Sequence, residues 1–356
     1  MTSAADPSAK GAATPPRTDP AAASSKTAAR AATIVDVARV AGVSRQTVTR
    51  ALNDMPDVSA RTRERVIAAA HSLNYRPNRA AQGLVRGREL AIGFVVRDLR
   101  NPYYPELASE LTRLAAERGW GVMLCDLGPD RVDARRRLET VVHRVDAVVG
   151  HVSGDEWSEV LASVPTVIFD GAAAADNQIA IEIDYRPGIR AALDHLVATG
   201  RRRIAMIDVA AAGGGPSGRR LIYRDYLREH SLPWSVMSEV DGPDTHEGGI
   251  DAASRLVARF ADADAALVFN DVMALGALKG FARAGHRVPQ DVAVIGIDGL
   301  DIGTVVTPEL TSVALDKTEL ARHAIRLVDE LVRGVHIETA PAARTMTHRL
   351  VVRESA

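Results

Sequence analysis

The segment AGVSRQTVTRALN, residues 41–53, concentrates side chains that form paired hydrogen bonds to flat partners. Arg45 and Arg50 can hold the O6 and N7 atoms of guanine, and Gln46 can hold N6 and N7 of adenine. Arg50 follows Gln46 by one helical turn, so both lie on one side of a helix, with Thr47 and Thr49 close by. The pattern predicts a helix that reads base edges in DNA, and a solvated helix in a small bundle is the alternative. On the other side lie the apolar residues that would pack on the preceding helix: Val43, Val48, Ala51 and Leu52.

The flanking sequence predicts three short helices. Thr33, followed by Asp36, fits the N-cap of the first helix, and Ser44 and Ser59 fit those of the next two. Gly42 makes the turn between the first two helices, and the second helix is expected to run to about Asn53, before Pro56. This order is typical of a helix-turn-helix domain. The periodicity places these residues inward: Ile34, Val37 and Val40 or Ala41 in the first helix, and Val66, Ile67, Ala70 and Leu73 in the third.

Beyond about Leu90 strands and amphipathic helices alternate. Nine strand candidates are mostly continuous apolar runs, as expected for parallel strands covered on both faces. The alternation predicts a doubly wound α/β core, and so many strands favour two sheets. The candidates are LAIGFVV, GVMLCD, DAVVGHV, PTVIFD, IAIEID, RIAMIDV, AALVFN, DVAVIGID and LTSVALD.

Charge is distributed unevenly along the 356 residues. Residues 33–89 carry ten arginines against five acidic residues, whereas residues 90–356 carry 30 basic and 38 acidic residues. A basic N-terminal segment followed by an acidic remainder is typical of a protein that binds a polyanion through one end. Residues 1–32 are mostly Ala, Ser, Thr and Pro, and we expect a disordered tail there.

The composition also excludes several classes of protein. No run of about 18 apolar residues is present, and the N-terminus lacks the apolar stretch of a secretory signal. The single cysteine, Cys125, excludes an internal disulfide and fits a reducing cytoplasm. We therefore expect a cytoplasmic protein without a membrane partner.

The segments TIVDVARVAGVSRQTVTRALN and VSARTRERVIAAAHSLNYRPNRAAQGL resemble the N-terminal part of the LacI/GalR family of bacterial repressors. The resemblance continues to RLVVRES near the C-terminus. It implies an N-terminal helix-turn-helix, a periplasmic-binding-protein-like core of two subdomains, and a homodimer on a pseudo-palindromic DNA operator. It also implies a small-molecule effector, most commonly a sugar, that changes operator affinity, with no cofactor and no catalysis. It assigns base reading to Arg45, Gln46 and Arg50, and further DNA contacts to Thr47, Thr49, Asn53, Tyr75 and Asn78.

The resemblance also assigns a hinge helix to residues 79–89. Leu84 matches the leucine that wedges into the minor groove, where an apolar side chain can kink the duplex, and Arg79 and Ala81 lie beside it. Because Gly83 weakens an isolated helix, we expect this segment to fold on DNA only. A role for Leu84 in a dimer interface is an alternative that is compatible with the wedge.

The effector is expected at the carboxyl ends of the strands, between the two subdomains. Tyr103 and Tyr104 match the family's aromatic position, and packing on the core is the alternative for one of them. Arg220 matches the arginine that commonly holds the ligand. For Asp271 a helix N-cap is the preferred role. The other candidates are polar residues after strands: Asp98, Asn101, Asp170, Asn270 and Asp298.

Two departures from the family make the expected site less polar. The loop after RIAMIDV is AAAGGGPSG, where longer polar side chains are common, and Leu315 stands where a polar contact is frequent. The effector is therefore expected to be large or partly apolar, or to be absent.

Other classes of function find little support. GGGPSGRR lacks the Lys and Ser/Thr of a phosphate-binding loop, and neither a GxSxG elbow nor zinc-ligand spacing occurs. A solute- or sugar-binding receptor of the same core fold, without a gene-regulatory role, is the alternative. Such a receptor would have to be exported and would not need a basic N-terminal segment.

The predicted organisation has a tail at residues 1–32, a helix-turn-helix domain at 33–78, a hinge at 79–89 and a core at 90–356. Within the core, residues 90–183 and 317–343 form the N-subdomain, and residues 184–316 and 344–356 form the C-subdomain. Because no apolar heptad helix follows VVRESA, a dimer is expected in place of a tetramer.

Overall fold

The computed structural model describes residues 33–52, 55, 58–73, 75, 90–128, 131–152, 154–210, 215–334 and 345–356. The predictions for the tail, for the hinge and for residues 211–214 of the glycine-rich loop lie outside these residues, as do those for Asn53, Asn78, Arg79, Ala81 and Leu84. The chain falls into two compact units that part between residues 77 and 78, and each is described by itself.

The first unit, here called the head, contains three helices: α1 (Ile34–Ala41), α2 (Arg45–Leu52) and α3 (Ala60–Ser72). The predicted caps are confirmed. The Oδ2 atom of Asp36 accepts hydrogen bonds from the backbone nitrogen and hydroxyl of Thr33, at 2.9 and 2.7 Å. Ser44 Oγ accepts from the Thr47 nitrogen at 3.1 Å, and Ser59 Oγ accepts from Thr62. Gly42 ends α1 with φ of 65°, a left-handed conformation that favours glycine.

The head core differs from the predicted one at one position. Ile67 is 42% exposed, so its predicted burial is wrong, whereas of the alternatives Val40 and Ala41 it is Ala41 that is buried and Val40 that is 51% exposed. The inward stripe of α1 runs through Val37, Ala38 and Ala41, which turns position 40 outward. In α3 the stripe likewise follows Val66, Ala69 and Ala70, and position 67 lies to its side.

The second unit, here called the core, contains two sheets, as predicted, and each has six strands. The first sheet has the order β11-β5-β4-β3-β1-β2, and all its pairings are parallel. Its strands are β1 (Ala91–Val96), β2 (Gly121–Asp126), β3 (Ala147–Gly150), β4 (Thr166–Phe169), β5 (Gln178–Asp184) and β11 (Thr345–Thr347).

The second sheet has the order β12-β10-β9-β8-β6-β7 and is parallel except for its edge strand β12. Its strands are β6 (Ile204–Asp208), β7 (Glu239–Asp241), β8 (Ala265–Val268), β9 (Ala293–Asp298), β10 (Thr311–Ala314) and β12 (Arg349–Val351). Sequence patterning missed β7, β11 and β12 because each is a three-residue edge strand without an apolar run.

Helices cover both faces of each sheet. Against the first sheet, α4 (Tyr103–Ala116) and α11 (Lys317–Val332) pack on one face, and α5 (Arg131–Val142) and α6 (Asp155–Leu161) on the other. Against the second sheet, α7 (Arg186–Ala198) and α8 (Gly218–Glu229) pack on one face, and α9 (His246–Arg259) and α10 (Asp271–Arg283) on the other. We call the first sheet with its helices the N-subdomain and the second with its helices the C-subdomain. Within the described part of the chain, no helix is both long and apolar enough to cross a bilayer.

The chain crosses between the subdomains three times: after β5, after β10 and after β11. The last crossing differs from the predicted one, which placed all of residues 344–356 in the C-subdomain. Thr345–Thr347 pairs in parallel with β5 of the first sheet, and only from Arg349 onward does the chain join the second sheet. Two hydrogen-bonded ladders on different sheets therefore place the crossing at His348.

Helices α9 and α10 pack closely because glycine stands where they meet. A β-carbon at Gly276 would overlap the carbonyl oxygen of His246, whereas one at Gly218 would meet no atom within 4 Å. We expect Gly276→Ala to lower the free energy of unfolding by roughly 1–3 kcal/mol, the cost typical of overpacking. Gly218→Ala, the matched change in another helix, should be neutral or slightly stabilising. Denaturant unfolding of both variants tests this, and equal stabilities would contradict it.

Candidate functional site

The outer side of α2 carries the predicted reading residues. Arg45, Gln46 and Arg50 are all exposed, while Val48 and Ala51 on the opposite side are buried in the head core. The N-terminal end of α2 is therefore fixed by packing from behind and open in front. This is the arrangement that a helix needs to enter the major groove.

The polar residues around this face have local partners. The hydroxyls of Thr47 and Ser44 lie 2.9 Å apart at the helix cap, and Thr49 Oγ1 donates to the Arg45 carbonyl oxygen at 3.1 Å. Tyr75 packs against the head core, and burial raises its pKa. Arg63 Nη2 donates to the Met55 carbonyl oxygen at 2.8 Å, which ties α3 to the connection that follows α2.

In the N-subdomain, aromatic rings gather where β1, β3 and β4 end. The centroids of Tyr103 and Tyr104 are 5.2 Å apart, edge to face, and both rings lie within 6 Å of the His151 ring. The His151 ring in turn lies 5.4 Å from that of Phe169. Burial lowers the pKa of His151 to about 3, so its imidazole is neutral at physiological pH. Both tyrosines are largely buried, so both pack on the core, which was the predicted alternative for one of them.

Two predicted effector residues in the same loop have structural partners. Both carboxylate oxygens of Asp98 accept hydrogen bonds from the Arg100 guanidinium, at 2.7 to 3.1 Å. Asn101 Oδ1 accepts from the Tyr103 nitrogen at 3.0 Å, at the beginning of α4. These bonds shape the loop after β1.

Arg220 does not face the junction between the subdomains. Its guanidinium is buried against the second sheet, where Nε lies 2.8 Å from the fully buried Asp208 carboxylate, and Nη2 contacts Asp241. Ser217 Oγ donates to the same Asp208 oxygen at 2.7 Å. The prediction that Arg220 holds the ligand therefore conflicts with its position.

The neighbouring Arg219 occupies the junction. The central carbon of its guanidinium lies 4.5 Å from the centre of the Tyr185 ring and 4.1 Å from that of Phe269. Its Nη1 donates to the Phe269 carbonyl oxygen, and its Nη2 lies 4.0 Å from Asp298 Oδ1. Arg219 thus stands among groups that follow strands of the second sheet and a residue of the first crossing.

The helical periodicity of α8 distinguishes the buried arginine from the one at the junction. Ser217 caps α8, and the buried stripe of that helix contains Arg220, Tyr223 and Leu227. Arg219 lies beside this stripe and contacts Phe269 and Asp298 at the carboxyl ends of strands. A positive charge on a stripe that faces the core requires a buried acidic partner. Asp208, the last residue of β6, is that partner.

Two predicted carboxylates stand at strand ends beside Arg219. Asp170 and Asp298 have backbone φ values of 52° and 121°, which residues other than glycine rarely adopt. Burial raises the pKa of Asp298 to about 6 and also raises that of Asp170, whose Oδ2 accepts from the Tyr185 hydroxyl at 3.1 Å. The junction therefore joins Asp170, Asp298, Arg219 and Tyr185 in one polar group.

Asn270, predicted as an effector residue, has the helix-cap role that the sequence predicted for Asp271. Asn270 caps α10, its Oδ1 accepting from the Met273 nitrogen at 2.8 Å, so the preferred assignment of the cap to Asp271 is wrong. Asp271 is fully buried, and its two oxygens accept from Ser312 Oγ at 2.6 Å and from the Leu300 nitrogen at 2.7 Å. Asp271 therefore holds the segment that follows Asp298.

The same segment is also held from the N-subdomain. Lys317 Nζ donates to the carbonyl oxygens of Asp298 and Gly299, both at 3.0 Å, and pairs with Glu106 at 3.1 Å. Glu106 Oε1 accepts from the Asp301 nitrogen at 3.0 Å. Leu315 is buried in the same apolar cluster as Tyr103 and Tyr104, so this side of the junction is apolar. The part of the chain that the structure describes holds no cluster of three metal-ligating side chains.

Comparison with known proteins agrees with both units. The profile of bacterial regulatory proteins of the lacI family matches residues 33–78, and that of periplasmic binding protein-like domains matches residues 193–356. The chain is 34% identical over 301 residues to the ribose operon repressor of Escherichia coli strain K12, covering 83% of this chain and 91% of the repressor. This chain belongs to the LacI family of bacterial regulatory proteins.

Solved structures support the same assignment. A LacI family transcriptional regulator from Arthrobacter sp. FB24, in complex with lactose, is 32% identical with a TM-score of 0.68, over 75% of this chain and 99% of that one. The lac repressor dimer bound to operator and an anti-inducer is 27% identical with a TM-score of 0.64, over 92% of this chain and 99% of that one. The helix-turn-helix head and the two parallel-sheet subdomains are thus those of this family.

The two arginines should differ in their contribution to stability. Arg220→Met leaves the fully buried Asp208 without its cation, and we expect a loss of about 3–5 kcal/mol in the free energy of unfolding. Arg219→Met, the matched control, removes a cation from above two rings and should cost no more than about 2 kcal/mol. Urea unfolding compares the two, and a larger loss for Arg219→Met would reverse the assignment.

Asp271 should make stability depend on pH. Burial and the neighbouring Asp298 raise the pKa of Asp271 from 3.8 to about 7. The native state therefore retains a proton that the unfolded chain loses, so this stabilisation is complete below pH 3.8 and is lost as pH rises to about 7. Because asparagine cannot titrate, we expect the stability curve of Asp271→Asn to be flatter between pH 4.5 and 6.5, by up to about 1.4 kcal/mol per pH unit. Equal slopes of the free energy of unfolding against pH for the two proteins would contradict the raised pKa of Asp271.

Proposed function

We propose that this DNA-binding transcriptional regulator is a repressor whose operator affinity changes when a small molecule binds at the junction of its two subdomains. The observation that supports it most is α2, which is packed from behind and presents Arg45, Gln46 and Arg50 to solvent. A receptor that only binds solutes has no use for such a helix.

In this proposal Arg45, Gln46 and Arg50 read bases, while Thr47, Thr49 and Tyr75 contact DNA beside them. Asn53 and Asn78, and the hinge residues Arg79, Ala81 and Leu84, remain predictions from the resemblance. The domain boundaries proposed above remain the same, except that the C-terminal segment joins the C-subdomain at residue 349.

We further propose that the protein is a homodimer on a pseudo-palindromic operator. The related lac repressor is a dimer on its operator, and two heads related by a two-fold axis would meet two half-sites. Its place of action is then the cytoplasm, and catalysis is not part of its function.

For the effector, we propose that Arg219 takes the role that the sequence gave to Arg220. Arg219 and the carboxylates of Asp170 and Asp298 offer donors and acceptors to hydroxyl groups, and Tyr103 and Tyr104 border an apolar wall. Such a combination suits a sugar, which has polar edges and an apolar face. The related Arthrobacter regulator binds lactose, which supports the class of ligand and not its identity.

Selection of random DNA duplexes on the purified protein, followed by sequencing of the bound pool, tests the proposal. An enriched pseudo-palindrome would supply the operator, and its release would then serve as the assay for effectors. The coupling must be reciprocal, so an effector that releases DNA must bind more weakly to the operator complex. A folded protein that enriches no sequence would contradict the proposed function.

Arg50→Ala should lower affinity for the selected operator by roughly 1–3 kcal/mol while leaving affinity for random DNA nearly unchanged, because a base contact carries sequence information. Arg39→Ala is the matched control, since Arg39 is an exposed arginine of α1 that pairs with Asp36 at 3.2 Å. Binding titrations with operator and random duplexes measure both affinities. An equal loss on the two duplexes would make Arg50 a phosphate contact.

A further inference from the structure

Tyr185 lies at the first crossing between the subdomains, after β5 and before α7. Its side chain is half-buried and packs against the main apolar cluster of the N-subdomain and also against that of the C-subdomain. It therefore belongs to neither subdomain alone.

The ring of Tyr185 is one member of a row of planar groups. The His348 ring stacks on it with centroids 4.5 Å apart and planes inclined by 24°. The Arg219 guanidinium lies 4.5 Å from the Tyr185 ring and also contacts Phe269. His348 is buried at the third crossing, so the row joins two crossings to the beginning of α8.

The hydroxyl of Tyr185 makes a contact with the N-subdomain. It donates to Asp170 Oδ2 at 3.1 Å, and Asp170 follows β4 of the first sheet. One side chain thus touches the N-subdomain through Asp170, the C-subdomain through Arg219, and the third crossing through His348.

We propose that Tyr185 locks the two subdomains in one relative orientation by stacking between Arg219 and His348 while its hydroxyl holds Asp170. A hinge rotation of the subdomains changes backbone torsions at the crossings, where two of these groups lie. Asp170 and Arg219 move with different sheets, so any such rotation must break at least one contact of Tyr185. Tyr185 is a positioning residue, because it acts through the groups that it holds.

The inference deepens the proposed function, because a ligand that binds Arg219 and Asp170 must compete with Tyr185 for both. Ligand binding would then release the lock, and the subdomains would take another orientation. The lock itself does not depend on whether the protein recognises an operator.

The chain contains a matched control for this chemistry. The Tyr226 ring stacks on His230 with centroids 4.0 Å apart, and the Arg190 guanidinium lies 5.4 Å from its centre. The Tyr226 hydroxyl donates to Asp194 Oδ1 at 2.6 Å. This arrangement has the same four residue types, but α7, α8 and the residue after α8 supply all of it. Its loss cannot unlock two subdomains.

The distance between the subdomains tests the lock directly. Spin labels on Ala116→Cys in α4 and Ala258→Cys in α9 would report that distance, since both alanines are exposed on helices of different subdomains. The native Cys125 is buried, with its pKa raised to about 11, and does not compete for the label. Mixing labelled protein with an excess of unlabelled protein confines the distances to one protomer. Pulsed electron resonance then measures the distance distribution without DNA and without any ligand.

We expect one narrow distance for the labelled parent protein and for both Tyr226→Leu and Tyr226→Phe. Tyr185→Leu removes the ring and the hydroxyl, and a second distance should hold about a tenth or more of the molecules. Tyr185→Phe keeps the ring and loses only the bond to Asp170, so its second population should be smaller but present. A single unchanged distance for Tyr185→Phe and Tyr185→Leu overturns the lock. If the leucine variant does not fold, the pair of phenylalanine variants decides alone.

Operator affinity gives a second readout that separates this inference from the proposed function. With the duplex selected above, Tyr185→Leu should change affinity by about 5-fold or more, and Tyr226→Leu should not. A second distance together with no selected operator would retain the lock and refute the repressor. An operator bound equally by all variants, with a single distance, would retain the repressor and refute the lock.

Discussion

The architecture of the core depends on one constraint, that a parallel sheet must be covered on both faces. Two such sheets, each between two layers of helices, leave only the carboxyl ends of their strands for polar side chains. Asp170 and Asp298 stand at these ends, one in each subdomain. The chain joins the sheets by three short crossings, so the polar residues of both sheets come together at the junction of the subdomains.

Buried charge divides the polar residues into two groups. The Arg220 guanidinium pairs with Asp208 and Asp241 at the ends of β6 and β7, and these contacts fix both strand ends to the beginning of α8. Arg219, one residue earlier, lies at the junction, where its Nη2 is 4.0 Å from Asp298 Oδ1. A buried ion pair and a cation at the subdomain junction thus arise from adjacent residues because a helix turns by about 100° per residue.

Much of the fold was predictable from local pattern. The caps at Thr33, Ser44 and Ser59 and nine of the strands follow from residue types and spacing within a few positions. The predicted burial of Ile67 is wrong because this residue lies at the border of an apolar stripe, where the packing partner decides, and the choice between Val40 and Ala41 depends on the same packing. The edge strands β7, β11 and β12 could not be predicted from the sequence pattern. Each has three residues that are held by backbone hydrogen bonds to a neighbouring strand, so none of them needs an apolar run.

The sequence by itself determined the class of protein, since the periodicity of α2 and the apolar runs of the strands are local properties. Only the tertiary structure decided which arginine faces the junction, whether Asn270 or Asp271 caps α10, and that Tyr185 and His348 stack. Each of these depends on a partner distant in the chain: Arg220 on Asp208, Asp271 on Ser312, and Tyr185 on Arg219 and His348. Residue type states that a side chain needs a partner, but only the arrangement of strands and crossings specifies which one it meets.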